Sequence, residues 1–422
     1  MFFRKSILGI AIALSLTTTV YAQTKVTATP TATDAKSDIP LDEIRRYVQV
    51  YQAIKQAYVE PVDDKELMQS AVRGLVKSLD PHSVYFDRED ADDFDERSRG
   101  NYQGIGVEVL TLEDGTLRII APIDGSPAKA AGIKAGDLVI AVDGKPLTDE
   151  NDSETDLRGP DGSEITLTVI RKGAKEPLKI KVKRGTIKIA SVRSKVLEPG
   201  YGMIRISSFQ ADTATDFESA VESLQKSGPL KGVVLDLRSN PGGLLNTAVQ
   251  IADDMLDSGA IVSTRGRIKD SDTKYDATPG DMLKGTKIVV LADVGSASAS
   301  EVLAGALRDN KRATIVGSRT FGKGSVQTLL PLDNGDSVKL TTARYYTPTG
   351  QSIQAIGIAP DIKFEATKDG KVSGEPGYSE VTLPGHIGAA TRGADPASKI
   401  VPGDILEGDQ YITQALKVLK GQ

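Results

Sequence analysis

Two short runs carry the side chains best suited to chemistry: GSASASE at 295–301 and FGKGSVQ at 321–327. The first offers serines at the start of an expected helix. The second offers Lys323 and, four residues on, Gln327. The chain has no cysteine and only two histidines, His82 and His386. Thiol chemistry, disulfides and cysteine-based metal sites are therefore excluded, and little besides a lysine is left to activate a hydroxyl. The chemistry these residues could do is acyl transfer, with serine as nucleophile and a neutral lysine as base.

Each element also has a plainer reading. A strand is expected to end at Ala292 and a helix to start near Ser298. A hydroxyl there stands above a sheet, beside helix N–H groups suited to a developing oxyanion. Ser298-x-x-Glu301 is equally a capping box, and the run alone leaves both readings open. Lys323 lies between Gly322 and Gly324. To act as a base, its ordinary pKa of about 10.4 must fall by about three units, a shift of roughly 4 kcal/mol that burial can supply. As an isolated residue, a lysine in a glycine turn is more often solvated. Gln327 shares the parity of Lys323, so in an extended chain its amide oxygen could orient the ammonium without adding charge.

Arg238-Ser239-Asn240-Pro241-Gly242-Gly243 follows an expected strand. Adjacent glycines can point N–H groups into a cleft as half of an oxyanion hole, or simply make a tight turn. The phosphate-loop pattern is not matched. In YQGIGVEV at 102–109, a Gly-Ile-Gly turn enters an edge strand. Such a turn can capture a peptide's terminal carboxylate while the peptide extends the sheet. An ordinary β-turn explains it equally well.

The elements that must position these residues follow from periodicity. Leu41, Ile44, Val48, Tyr51, Ile54 and Tyr58 recur at helical spacing before Pro61, and Leu67, Ala71, Val72, Leu75, Val76 and Leu79 before Pro81. Segment 41–100 therefore reads as a small helical region. From 101 to 185 the chain turns to short strands with Gly and Pro turns, at 117–123, 138–147, 164–173 and 178–185, the pattern of a small, partly open barrel. From 186 to 365 strands and helices alternate. Strands such as Val233-Val234-Leu235 and Ile288-Val289-Val290-Leu291 are nearly all apolar, as in an α/β sheet covered on both faces. Residues 366–422 form a polar extension with a last helical stripe, Tyr411, Ile412, Ala415, Leu416 and Leu419, suited to assembly.

Residues 1–22 read as a secretory signal peptide: Arg4 and Lys5, an apolar run from Ile7 to Leu16, and the cleavage site Val20-Tyr21-Ala22. The apolar run is shorter than the ~20 residues a membrane span needs. Residues 23–40 read as a flexible linker. Loss of the signal takes the basic residues from 52 to 50 against 57 acidic ones, and the net charge from −5 to −7. An acidic chain without a basic cluster is a poor partner for nucleic acid.

Taken together, these motifs resemble the carboxyl-terminal processing proteases, serine peptidases that carry a PDZ domain. The resemblance runs through LDPHSVYF (79–86), YQGIGVEV, GSPAKAAGIKAGDLVIAVDG (125–144) and VVLDLRSNPGGLL (233–245). It continues through GSASASEVLAGAL (295–307), TFGKGSVQT (320–328), KLTTARYYTPTGQSI (339–353) and GIAPDI (357–362). It covers most of the chain that remains after residue 22, in the family's order and spacing.

The resemblance implies a multidomain α+β protein: the helical region, a PDZ domain over 101–185 and an α/β (crotonase/Clp-like) serine protease core over 186–365. It implies Ser298 as nucleophile, Lys323 as base and Gln327 as orienting residue. The oxyanion hole then combines the N–H of Ala299 with a glycine of the Pro-Gly-Gly turn, Gly243 being favoured and Gly242 the alternative. His82 becomes structural. Gly104, Ile105, Gly106 and Val107 would bind the carboxylate of unstructured, apolar substrate C-termini. The resemblance also implies self-assembly, an adaptor protein, a periplasmic location and neither metal nor cofactor. One stretch departs from the family pattern. Where a helix usually precedes the Leu157-Arg158-Gly159 turn, the chain reads TDENDSETD over 148–156, which puts the side-chain pocket in question. A peptide-binding protein of the same fold without catalysis is the rival reading; it leaves the joint presence of Ser298, Lys323 and Gln327 unexplained.

Overall fold

A computed structural model of the chain describes residues 40–123, 125–148, 155–364, 379–389 and 410–422. The signal segment, nearly all of the linker and most of TDENDSETD lie outside the described residues. Two compact units meet in sequence between Glu66 and Leu67. In the first, α1 (Leu41–Ala57) leads to the start of α2 (Asp64–Lys77), and Lys55 Nζ lies 2.6 Å from Asp64 Oδ1.

The second unit corrects the expectation of an all-helical stretch to residue 100. After Pro81 the chain enters a strand, β1 (Val84–Phe86), and only then α3 (Arg88–Arg99), capped by the Asp87 side chain and closed by Gly100. The proline ends α2's course, and the β-branched and aromatic Val-Tyr-Phe favours strand.

Strands β2 (Asn101–Gly104), β3 (Val107–Thr111) and β4 (Leu117–Pro122), a short helix α4 (Pro127–Ala130), β5 (Leu138–Val142), β6 (Lys145–Pro146), β7 (Glu164–Ile170), β8 (Leu178–Lys183) and β9 (Gly185–Lys188) follow. They form an antiparallel sheet in the order β3-β4-β5-β7-β8, with β6 on β5, and a separate β2-β9 ribbon. Alternation in β7 sends Ile165, Leu167 and Val169 inward to meet Leu117, Ile119, Val139 and Val182.

The larger core holds β10 (Val192–Glu198), β11 (Tyr201–Ile206), α5 (Thr213–Lys226), β12 (Gly232–Asp236), α6 (Leu245–Asp253), β13 (Ala260–Gly266), β14 (Thr273–Asp276), β15 (Lys287–Ala292), α7 (Ala299–Asp309), β16 (Ala313–Gly317), β17 (Ser325–Pro331), β18 (Ser337–Tyr346), β19 (Ile362–Lys363) and α8 (Gln410–Lys420). The main sheet runs β10-β11-β12-β15-β16-β19, parallel from β11 onward. Every residue of β12 is buried, which explains its unbroken apolar run. Helices α5, α6 and α7 cover one face through Phe217, Val221, Leu224, Ile251, Leu303 and Leu307.

The other face is covered by α8, whose Tyr411, Ala415 and Leu419 meet Val234, Val289 and Leu291. The stripe expected to serve assembly is therefore spent inside the chain. Strand β17 does not join the parallel sheet. It pairs with β18, which also pairs with β1 and β13, in a second sheet with β14 at the far edge.

Candidate active site

The loop after β15 begins at Asp293, whose Oδ1 accepts from Ser239 N (2.8 Å) and Gly295 N (2.9 Å). It thereby fastens the serine run to the Arg-Ser-Asn-Pro-Gly-Gly turn. The three serines then separate by role. Ser296 Oγ donates to Leu237 O (2.8 Å), and Ser300 Oγ to Asn240 O (2.9 Å). Both are fully buried struts. Ser298, 8% exposed, sits between them at φ 55° and ψ −114°. A non-glycine residue in such a conformation costs on the order of 1–3 kcal/mol and persists only where its surroundings impose it. Here it marks a sharp turn from strand into α7.

The glycine turn lies against this elbow. A Cβ on Gly242 would stand 2.9 Å from Ser298 Cβ and 3.0 Å from Ala299 N. The N–H of Gly242 is committed to Asn240 Oδ1 at 2.9 Å, and Asn240, itself fully buried, also donates from Nδ2 to Ile206 O. Among the described residues, the N–H groups of Gly243 and Ala299 are uncommitted. Of the two glycines, Gly243 therefore has the amide free to receive an oxyanion.

Lys323 reaches the same place through Glu301. The Glu301 carboxylate, with no exposed surface, accepts from Ser298 N (2.8 Å) and Lys323 N (2.9 Å) on Oε2. On Oε1 it accepts from Gly322 N (2.7 Å) and Thr320 Oγ1 (2.5 Å). Burial pushes the Glu301 carboxyl up to about 7, against the pull of these four donors. Burial likewise lowers the pKa of Lys323, helped by the positive charge of Lys339, while Glu380, Glu301 and Asp80 oppose the shift. Among the described residues Lys323 makes no ion pair, and no hydrogen bond joins its Nζ to Ser298 Oγ.

Gln327 is not joined to Lys323. Its Nε2 donates to Ser325 Oγ (3.0 Å) and Thr341 Oγ1 (3.1 Å), and Thr341 donates in turn to Asp80. The shared parity with Lys323 thus leaves the glutamine amide in a hydroxyl network. His82 has a structural partner, its Nε2 lying 2.7 Å from Glu380 Oε2. Glu380 and Gln354 are the residues sequence reasoning missed most completely. Gln354 Nε2 donates to Glu380 Oε1 (2.7 Å), while Gln354 Oε1 accepts from Gly324 N (2.9 Å). The stretch from Ser379, read as part of a polar extension, thus braces the lysine turn. No periodicity could have signalled it.

In the smaller domain, Ile105, Gly106 and Val107 line a cavity of about 110 Å³ with Tyr102, Val109, Leu157 and Arg158. Leu157, at the end of a single turn of 3-10 helix (Thr155–Leu157), supplies part of the cavity's apolar wall, and residues 149–154 before it lie outside the described residues. Gly104 lies just outside this lining, bridged to Arg158.

Comparison with known proteins adds an independent finding. Residues 200–364 match peptidase family S41, residues 103–182 a PDZ domain, and residues 9–90 the N-terminal domain of the activating protease CtpB. The chain is 42% identical over 389 residues to a carboxy-terminal-processing protease of Bartonella bacilliformis, covering 90% of this chain and 89% of that one. It is 37% identical over 325 residues to the carboxy-terminal processing protease CtpA of Bacillus subtilis, covering 75% and 67%. Among solved structures, a photosystem II D1 C-terminal processing protease aligns at 30% identity over 75% of this chain and 92% of that one, with a TM-score of 0.44. The family and relative matches define a serine-type peptidase joined to a PDZ domain. The chain belongs to the carboxy-terminal processing proteases of peptidase family S41.

Proposed function

We propose that the chain is an exported endopeptidase working through Ser298 and Lys323, with oxyanion donors at Ala299 and Gly243. Neutral Lys323 takes the hydroxyl proton as Ser298 Oγ attacks a peptide carbonyl. The resulting oxyanion rests on the two N–H groups. The lysine ammonium gives its proton to the leaving amine, and water activated by the same amine cleaves the acyl ester. Hydrogen bonds between catalytic groups are commonly long without substrate and tighten when it binds, which accommodates the open Ser298–Lys323 pair. Gln327, whose Nε2 is held by Ser325 and Thr341, would orient Lys323 through its amide oxygen.

The observation that carries this reading is the division among the serines: Ser298 alone stands at the strained elbow, beside two uncommitted amides. Ser298→Ala and Lys323→Ala should each abolish cleavage of an unfolded protein with an apolar C-terminal tail, with folding retained. Activity in either variant overturns the dyad.

The PDZ loop from Gly104 to Val107 is assigned capture of the substrate's terminal carboxylate. The 22-residue leader supports export to the bacterial cell envelope, most simply the periplasm. Among the described residues no helix is long and apolar enough to cross a membrane. Self-assembly and delivery of substrates by an adaptor belong to the same proposal.

A further inference from the structure

The four donors on Glu301 come from two separate segments. One is the nucleophile's own amide; the others belong to Thr320, Gly322 and Lys323, 19 to 22 residues farther along. All four contacts use the carboxylate as acceptor, so the geometry calls for its ionised form. A capping residue needs only the first contact. The rest have nothing to do with ending a helix. They hold the turn that carries the base at a fixed place beside the elbow that carries the nucleophile. Thr320 locks the arrangement further, because its Oγ1 also accepts from Ile358 N at 2.7 Å.

We propose that Glu301 is the positioning residue of the site: one buried carboxylate that sets the separation of Ser298 and Lys323. The proposal rests on the dyad reading above and deepens it. Glutamine cannot replace the carboxylate. Each oxygen of Glu301 receives two donors, so an amide nitrogen at either position would face N–H groups with N–H groups. The carboxylate charge also opposes deprotonation of Lys323, as do Glu380 from the 379–387 segment and Asp80 from the turn before β1, while Lys339 of β18 favours it. Removing the charge therefore has two separable effects: it loosens the geometry, and it lowers the pKa of the base.

The test compares Glu301→Gln with wild type on an unfolded, dye-labelled protein ending in an apolar tail. A displacement of about an ångström between reacting groups can cost about 100-fold. We expect kcat per folded molecule to fall by about that factor and KM to change less than about threefold, with Tm lowered by the buried donors the amide leaves unpaired. The ascending limb of kcat against pH should move to lower pH, which a merely structural role would not produce. Wild-type kcat, or a loss that only follows the unfolded fraction with the limb unmoved, overturns the proposal. If Glu301→Gln does not fold, Thr320→Val removes a single donor and should lower kcat by about tenfold, the loss expected for one weakened positioning contact; wild-type kcat there overturns it too. Lys323→Ala runs alongside. Activity in that variant removes the dyad reading, whereas an inactive Lys323→Ala beside a fully active Glu301→Gln removes the positioning role alone.

Discussion

Gly242 and Ser298 are in such close approach that a methyl group on the glycine would stand 2.9 Å from the serine Cβ. The contact leaves no room for any side chain at the floor of the Ser298 elbow. The φ of +102° at Gly242 adds a backbone penalty for any other residue. Gly242→Ala should therefore lower kcat/KM by at least about 100-fold, since the added carbon displaces the reacting group or the Ala299 amide. Steady-state kinetics beside a thermal melt checks this. At Gly243 a Cβ would lie only 2.1 Å from Phe209 O, so Gly243→Ala should be limited first by folding, with a clearly lowered Tm.

The serine division predicts three different outcomes from one substitution type. Ser298→Ala removes cleavage and leaves Tm near wild type. Ser300→Ala removes a buried hydrogen bond to Asn240 O, worth about 0.5–1.5 kcal/mol, and should show as a lower denaturant midpoint with partial activity. Ser296→Ala should resemble Ser300→Ala, because Asp293 N loses its acceptor and Leu237 O keeps only the Asn240 N–H. Equal loss of activity in all three would contradict the assignment.

Lys339 gives a pH prediction of definite sign. Its positive charge lowers the pKa of Lys323, and a lysine proposed as base works only when neutral. Activity should rise with pH through that pKa. Lys339→Met removes the repulsion, raises the pKa of Lys323, and should move the ascending limb of kcat/KM to higher pH. A limb that stays in place or moves the other way would count against Lys323 as the titrating base.

Helix α8 predicts stability rather than assembly. Tyr411 is buried, edge-on to Phe364 at 4.9 Å between ring centroids, with the Arg238 guanidinium 4.9 Å from its ring. Tyr411→Ala should cost about 3–5 kcal/mol in chemical denaturation, the range for a buried aromatic. If the helix served assembly alone, the variant would change sedimentation and leave unfolding unaltered.

Much of this site is legible in the amino-acid sequence. Ser298, Lys323 and the Pro-Gly-Gly turn stand out as candidates because turns, helix starts and small residues are local features. The apolar runs of β12 and β15 mark buried parallel strands for the same reason. Other parts are not legible there. Parity places Gln327 with Lys323, yet the amide bonds Ser325 and Thr341, since Lys323 precedes the strand and a register shift between Val326 and Gln327 sets Gln327 opposite Thr341 of β18. The helical stripe of α8 is clear, but not which surface it covers. An amphipathic face states that something must cover it and is silent on what.

By itself, then, the sequence determined which residues could react and the local shapes that expose them, because those depend on chain neighbours. Tertiary structure alone decided which serines are struts and which glycine amide is uncommitted. Ser300 is recognised as a strut only through an acceptor 60 residues away. Glu301 changes from a helix cap to a shared acceptor for the amides of Ser298 and Lys323 only when the lysine turn folds back onto it. Hydrogen-bond partners brought together across the chain are set by the packing of sheets and helices, and no local pattern carries them.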